Sequence, residues 1–392
     1  MEKYVCENCI GDYSLQELIN QESVKTACDY CDLVSDDGPI AAPISELMPR
    51  IWDGIEREWA DPDDEGIVWD NEDGRYMVDV YDSHDLLRRL IYTNSPEVLQ
   101  DLAKHLGDRN WCRKDGARLT RDEEWNLDWE NFSNQLKHHT RYVFYRVDPA
   151  PGNVFEPARS PHEILETIGK LVVEQDLLRT VETGTRIVRA RAHAADEAFL
   201  PVEELGPPPI DKARYSNRMS PAGIPMFYGA EREDTALNEV DGDDCATVAD
   251  FVTLQPFKVL DLTRIPSIPS LFDQQRNHLR PALKFLTSFK EDLSKVVEKD
   301  GREHIEYIPT QVATEYFRRV FRDADNEPVR GIVYESSRHE GGISWVLFFE
   351  NDDCTQDDRF DTSGKWLSML TASVRRIDLK NRPEPPPVGR LF

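Results

Sequence analysis

From Ser35 to Arg146, apolar residues recur at intervals of three and four, the spacing that lines up side chains on one face of a helix. The pattern predicts helices over Pro43 to Arg57, His84 to Tyr92, Ser95 to His105 and Asp122 to Tyr145, each with a polar start. Ser95-Pro96-Glu97 is a good helix opening, with proline where a missing N–H costs nothing and an acid in the first turn. The acidic run Asp61 to Gly66 reads as a solvated loop, because it lacks the spaced oxygens and closing glutamate of a calcium loop. Pro149, Pro151 and Gly152 interrupt the pattern, and Ser160-Pro161-His162-Glu163 opens another helix. Short β-type runs follow at Thr185 to Ala190, Met226 to Ala230, Phe257 to Leu262, Gly331 to Tyr334 and Trp345 to Phe349, separated by helical patterns. The expected class is therefore α+β, with a mainly α-helical amino half and a mixed carboxyl half. The tail from Asn381 carries Pro383, Pro385, Pro386 and Pro387, too many for a helix or strand interior, and is expected to run extended along a surface.

The length of 392 residues allows two or three domains, and 39% hydrophobic residues are enough to give each a core. With 47 Lys+Arg against 74 Asp+Glu the net charge is −27, which disfavours direct binding to nucleic-acid backbones or anionic membranes. An anionic ligand must then be held by a few local arginines. No apolar stretch reaches the ~18 residues of a membrane span, and Met1-Glu2-Lys3-Tyr4 lacks the apolar core of a signal peptide, so the cytoplasm is the expected compartment.

Four of the seven cysteines form a C-x2-C, 18-residue gap, C-x2-C pattern: Cys6, Cys9, Cys28 and Cys31. That spacing fits a four-thiolate zinc site, a closed tetrahedron that stabilises a small fold and leaves no position open for substrate. The other reading is free or redox-active thiols.

Three features of the carboxyl half can carry chemistry. Arg189 and Arg191 alternate in a strand-like run, which puts both guanidinium groups on one face, either to grip a carboxylate or pyrophosphate or to make edge ion pairs. Arg218 to Tyr228 joins a polar turn to a strand, and the helix that follows carries Glu239 beside the packing residues Ala236, Leu237 and Val240. Glu239 is either a carboxylate positioned at the core or a solvent-facing helix residue. Tyr334 to Gly342 is a donor-rich loop between two strands. Ser336 or Ser337 with His339 does not define a hydrolase triad, and no G-x-S-x-G elbow is present.

In their order, Arg189-Ala190-Arg191, Arg218-Met219-Ser220-Pro221-x-Gly223, Phe227-Tyr228, Thr235 to Val240 and Gly331-Ile332-Val333-Tyr334-x-Ser336 with Gly341-Gly342 resemble the RES domain. The amino half, with its cysteine pairs and helices, resembles the HEPN-like module that precedes RES domains in some bacterial proteins. The resemblance implies a fold similar to ADP-ribosyltransferases and a toxin that consumes NAD by hydrolysis or phosphorolysis of the nicotinamide–ribose bond, held in check by an antitoxin. By position it implies Arg189, Glu239 and Ser336 as catalytic residues, or Thr310 in place of Ser336 where the active hydroxyl stands before a helix. Arg189, Arg191, Arg218, Tyr228 and Glu239 would bind the NAD. Many members have proline before the serine, where this chain has Glu335.

The expected organisation is a zinc knuckle over residues 1–35, a helical HEPN-like domain over 36–148, a linker and helix over 149–182, a RES domain over 183–355 and an extension over 356–392. HEPN nucleases use an arginine followed four to six residues later by histidine, and none of His84, His105, His138 and His139 has one. A non-nuclease module that binds a partner, senses a trigger or builds a homo-oligomer is expected. The alternatives to NAD degradation, aided by phosphate or not, are ADP-ribosyl transfer to a macromolecule and a non-catalytic binding module.

Overall fold

The apolar spacing of the amino half becomes helices close to the expected limits, α2 Ile44–Glu58, α3 Ser83–Leu90 and α4 Pro96–Leu106, preceded by α1 Tyr13–Glu22, a helix the pattern did not predict. In α2 the buried side chains are Leu47, Met48, Ile51 and Ile55, one face of the cylinder. The structure is a computed structural model and describes residues 2–70, 74–116, 118–146, 159–196, 201–240, 244–295, 301–357 and 362–380. The expected linker at Pro149 and the proline-rich tail lie outside the described residues.

The chain divides into two units, Met1–Glu124 with Ser267–Lys284, and Trp125–Pro266 with Phe285–Phe392. Residues 267–284, expected inside the RES domain, pack with the first unit. Leu271 and Phe272 join the apolar core formed by α1, α2 and α4, and Gly54 on α2 makes room for them, since a Cβ there would stand 2.6 Å from Phe272 Cδ1. Tyr13 Oη donates to Asp273 Oδ2 at 2.6 Å, Ser14 Oγ donates to the Phe272 carbonyl at 2.9 Å, and Arg280 Nε donates to Glu58 Oε1 at 3.0 Å. Asp273 is held down at about 2: burial works to raise it, and the hydrogen bonds from Tyr13 and the Arg276 amide outweigh that. Strands of this unit are short: β1 Tyr4–Cys6 pairs β2 Ala41–Pro43, β3 Trp59–Ala60 lies beside β7 Asn110–Arg113, β4 Trp69–Asp70 pairs β5 Arg75–Tyr76, and β6 Tyr81–Asp82 pairs β7.

In the second unit, α5 Arg121–His138 contributes Trp129 and Phe132 to an aromatic layer with Phe289 of α9 Arg280–Ser294, and Trp129 Nε1 donates to Asp292 Oδ2 at 2.9 Å. This helix, expected to run to Tyr145 in the helical domain, lies in the second unit from Trp125 onward. Helix α6 Pro161–Glu174 starts at the expected Ser160-Pro161, with Glu163 accepting from the Ser160 amide at 2.8 Å.

The rest of this unit is built on one ten-stranded sheet. Its strands are β8 Leu178–Val181, β9 Arg186–His193, β10 Phe227–Ala230, β11 Cys245–Thr253, β12 Phe257–Asp261, β13 Val329–Glu335, β14 Ile343–Leu347, β15 Cys354–Gln356, β16 Leu367–Met369 and β17 Arg375–Asp378. They lie in the order β15-β16-β11-β9-β10-β14-β13-β12-β8, and β17 also pairs β11. Pairing is antiparallel except for β12 with β13 and β15 with β16. The sheet takes in β8 from the expected linker and β16 and β17 from the expected extension, so neither is an appendage. Connecting helices are α7 Val202–Leu205, α8 Glu233–Glu239, α10 Glu303–Glu306 and α11 Ile308–Glu315. Alternation along β9 sends Ile187 into a core with Phe227, Phe251 and Trp345 on one face, and Val188 into a smaller core with Ala236 and Leu237 of α8 on the other. The architecture is α+β.

Candidate active site

Strands β9 and β10 meet at a single register pair, Ala230 with Val188, and then part. A cavity of about 850 Å³ opens in this split, within the second unit. Arg189, Arg191, Arg218, Tyr228 and Glu239, all expected at one site, line it. Ser336 does not line it but reaches Glu239, and Thr310 is buried on α11 and is not among the lining residues. Its neighbour Gln311 instead donates to Ser216 Oγ and the Asn217 carbonyl, both at 2.7 Å.

Glu239 is the last residue of α8, the end of a helix where a negative charge is least favoured. Two hydroxyls compensate for that position. Ser336 Oγ donates to Glu239 Oε1 at 2.6 Å and Ser344 Oγ donates to the same oxygen at 3.0 Å. The Ser336 oxygen in turn accepts from the amides of Arg338 at 3.2 Å and His339 at 3.1 Å. The loop that carries it is closed on itself, with the Ser336 amide donating to the Gly342 carbonyl at 2.8 Å. It is also pinned to α8, where His339 Nδ1 and Thr235 Oγ1 share a hydrogen bond of 2.8 Å. Gly342 permits that approach, because a Cβ there would stand 2.8 Å from Thr235 Oγ1 and 2.9 Å from His339 Nδ1. Tyr334, cross-strand partner of Ser344, is buried, and burial together with the charge of Glu239 pushes its phenol up.

Arg189 lies on the face of β9 that carries Ile187, as the alternation requires, with its guanidinium 5.0 Å over the Phe227 ring. Its Nε donates to the Leu205 carbonyl at 2.5 Å, Nη1 to the Tyr228 carbonyl at 2.5 Å and Nη2 to the Gly206 carbonyl at 3.1 Å. Three of five N–H donors thus hold the cavity wall together. Burial lowers this guanidinium to about 10, which leaves it charged at neutral pH. Lysine is expected to be a poor replacement, since one ammonium group does not span three carbonyls. Arg189→Lys should cost about 2 to 3 kcal/mol of stability, read as a lower urea midpoint of the second unit.

Arg191 donates to the Glu204 carbonyl. Arg218 donates to the Ser294 carbonyl and, at 3.4 Å, to Ser337 Oγ. Tyr228 Oη lies 2.9 Å from Ser220 Oγ, and burial raises its phenol to about 12. Sequence reasoning assigned no role to Ser344 or Ser220, nor to Arg214, Asn217, His304 and Arg338, which also line the cavity. The available signal for Ser344 was a lone hydroxyl between Ile343 and Trp345 in an apolar strand.

In the first unit, the two expected cysteine pairs converge. The four sulfurs lie within 4.8 Å of one another, with Cys6 to Cys9 at 3.8 Å, Cys6 to Cys31 at 3.6 Å and Cys9 to Cys28 at 3.8 Å. Four sulfurs each ~2.3 Å from one ion stand about 3.8 Å apart, so the donor set fits a tetrahedral metal such as zinc. Burial pushes the Cys6 thiol up to about 11 and the Cys9 thiol higher still, a cost that a bound cation removes by taking the thiolates.

The sequence matches the family model of the RES domain over residues 186–366. The chain carries a RES domain. Ahead of it, residues 21–150 match the HEPN/RES N-terminal domain 1, and the two matches stand in the expected order. No curated protein matches the chain. The RES match begins at β9 and takes in the cavity, Glu239, Ser336 and Ser344. RES domains form an NAD-related, toxin-type family. No described helix is long and apolar enough to cross a membrane.

Proposed function

We propose that the RES domain cleaves the nicotinamide–ribose bond of NAD, with water or phosphate as acceptor, and that the chain acts as a toxin-type effector. The observation that carries this reading is the Glu239 carboxylate, held by two hydroxyls on one oxygen at the wall of a large cavity with arginines along its lining. Nicotinamide leaves NAD as a neutral molecule, so its departure needs no general acid. One carboxylate is enough. As the bond breaks, positive charge develops on the ribose carbon, and a preorganised anion stabilises it without reorganising. Arg218 and Arg191 supply positive charge for the pyrophosphate in a chain of net charge −27. Arg189 contributes through the wall it holds and through its two remaining N–H groups. Ser336 spends its proton on Glu239 and its lone pairs on two amides, so its role is to position the carboxylate rather than attack. A fold similar to ADP-ribosyltransferases accords with a binding cavity in a split between strands. Zinc is the metal we assign to Cys6, Cys9, Cys28 and Cys31, in a structural role.

The test is to incubate the purified full chain with NAD in phosphate-free buffer and in phosphate, following NAD and nicotinamide together. Loss of NAD with equimolar nicotinamide supports the reading, and a rate that rises with phosphate names phosphate as the nucleophile. Intact NAD in both buffers overturns it.

A further inference from the structure

The Glu239 carboxylate is bonded asymmetrically. Both hydroxyl donors converge on Oε1, and among the described residues none donates to Oε2. Because Glu239 lines the cavity, Oε2 is the oxygen left for a ligand. The two donors stand on very different supports. Ser336 sits at the start of the loop that runs to Gly342, and its hydroxyl depends on that loop keeping its shape. Ser344 stands within β14, whose ladder runs to β10 on one side, where it faces Ala230, and to β13 on the other, where it faces Tyr334. It is 2% exposed. A buried hydroxyl costs stability unless it is bonded, and Glu239 Oε1 accepts from it at 3.0 Å.

We propose that Ser344 is a positioning residue for the reaction of the RES domain: from a rigid central strand it fixes Glu239 through Oε1, so that Oε2 is presented to the substrate. The inference rests on the NAD-cleaving reading for its kinetic arm, and on geometry alone for its structural arm. The two serines share one acceptor, so each partly covers the loss of the other. Removing Ser344 leaves the carboxylate on a loop-borne hydroxyl, free to turn.

Ser344→Ala and Ser344→Thr are prepared in the full chain, and both are crystallised and assayed. In Ser344→Ala the Glu239 carboxylate is expected to leave its present rotamer or to occupy two, and kcat to fall about 10-fold to 100-fold with KM within about threefold. Ser344→Thr keeps the hydroxyl and should restore most of kcat even if its added methyl lowers the melting temperature, which separates positioning from stability. Ser336→Ala combined with Ser344→Ala should lose more than the product of the single losses. A Glu239 carboxylate unmoved in the alanine variant overturns the proposal, and so does an unchanged kcat in an enzyme that Glu239→Gln inactivates. If the wild-type chain leaves NAD intact, the reading of function fails, and the position of the Glu239 carboxylate in the crystals still decides the role of Ser344.

Discussion

Glu239→Gln should lower NAD turnover by about 1,000-fold while leaving the melting temperature nearly unchanged, because the substitution removes a charge and preserves a shape. A glutamine carbonyl in the place of Oε1 still accepts from Ser336 and Ser344, so the loop and β14 keep their bonds. On the proposed reaction, what disappears is the negative charge that would face the ribose carbon as the nicotinamide bond breaks. Glutamine is a cleaner probe here than alanine, which leaves two hydroxyls without their acceptor and mixes folding with chemistry. Single-turnover rates and thermal melts on the same preparations make the comparison. A variant that keeps more than a tenth of the wild-type rate would show that the charge of Glu239 is not the source of catalysis.

Removing the metal should have the other large effect, confined to the first unit. Structural zinc contributes about 10 kcal/mol or more to small folds, comparable with the whole stability of a domain. The four sulfurs bring together β1, the turn after it and the turn at Cys28 to Cys31, and the core cluster of the unit includes Cys6, Cys9 and Cys28. Without a cation the buried Cys6 and Cys9 thiols stay protonated at neutral pH, burial raising Cys6 to about 11. The native protein should contain one zinc per chain by elemental analysis. Chelation with warming should abolish the transition of the first unit, and Cys9→Ser should reproduce that loss, while the ten-stranded sheet melts as before. A chain that binds no metal and melts unchanged in the presence of chelator would remove zinc from the account.

Legibility in the sequence followed how local each signal is. Helices α2, α3, α4 and α6 were readable because periodicity and start residues lie within a dozen positions of one another. The cysteine pairs were readable for the same reason. Strand β11 was not, although it is central and pairs β9 over eight residues, because Ala246, Ala249 and Asp250 dilute the β-branched signal that marks a strand. The segment around Leu271 and Phe272, set between prolines, reads as a loop, and its role as a core plug depends on a glycine more than 200 residues earlier in the sequence. The meeting of Glu239 with Ser336 was reached through family resemblance, since spacing alone says nothing about residues 97 positions apart. Ser344 escaped both routes, as a single hydroxyl in an apolar strand has no pattern to join. Arg189 was found for its charge, and the structure adds that much of its hydrogen bonding goes to the backbone that shapes the cavity.

The return of residues 267–284 to the first unit has a consequence for how the chain is made. The unit that begins at the amino terminus is not complete until Lys284 has been synthesised, about 160 residues after Glu124. At typical rates of elongation this is a delay of roughly 10 to 30 s during which the pocket beside Gly54 lacks Phe272. The sheet of the second unit gains β17, which pairs with β11, later still. On the ribosome, then, the first unit waits for a segment that follows most of the residues lining the cavity, and the sheet of the second unit gains β17 only afterwards.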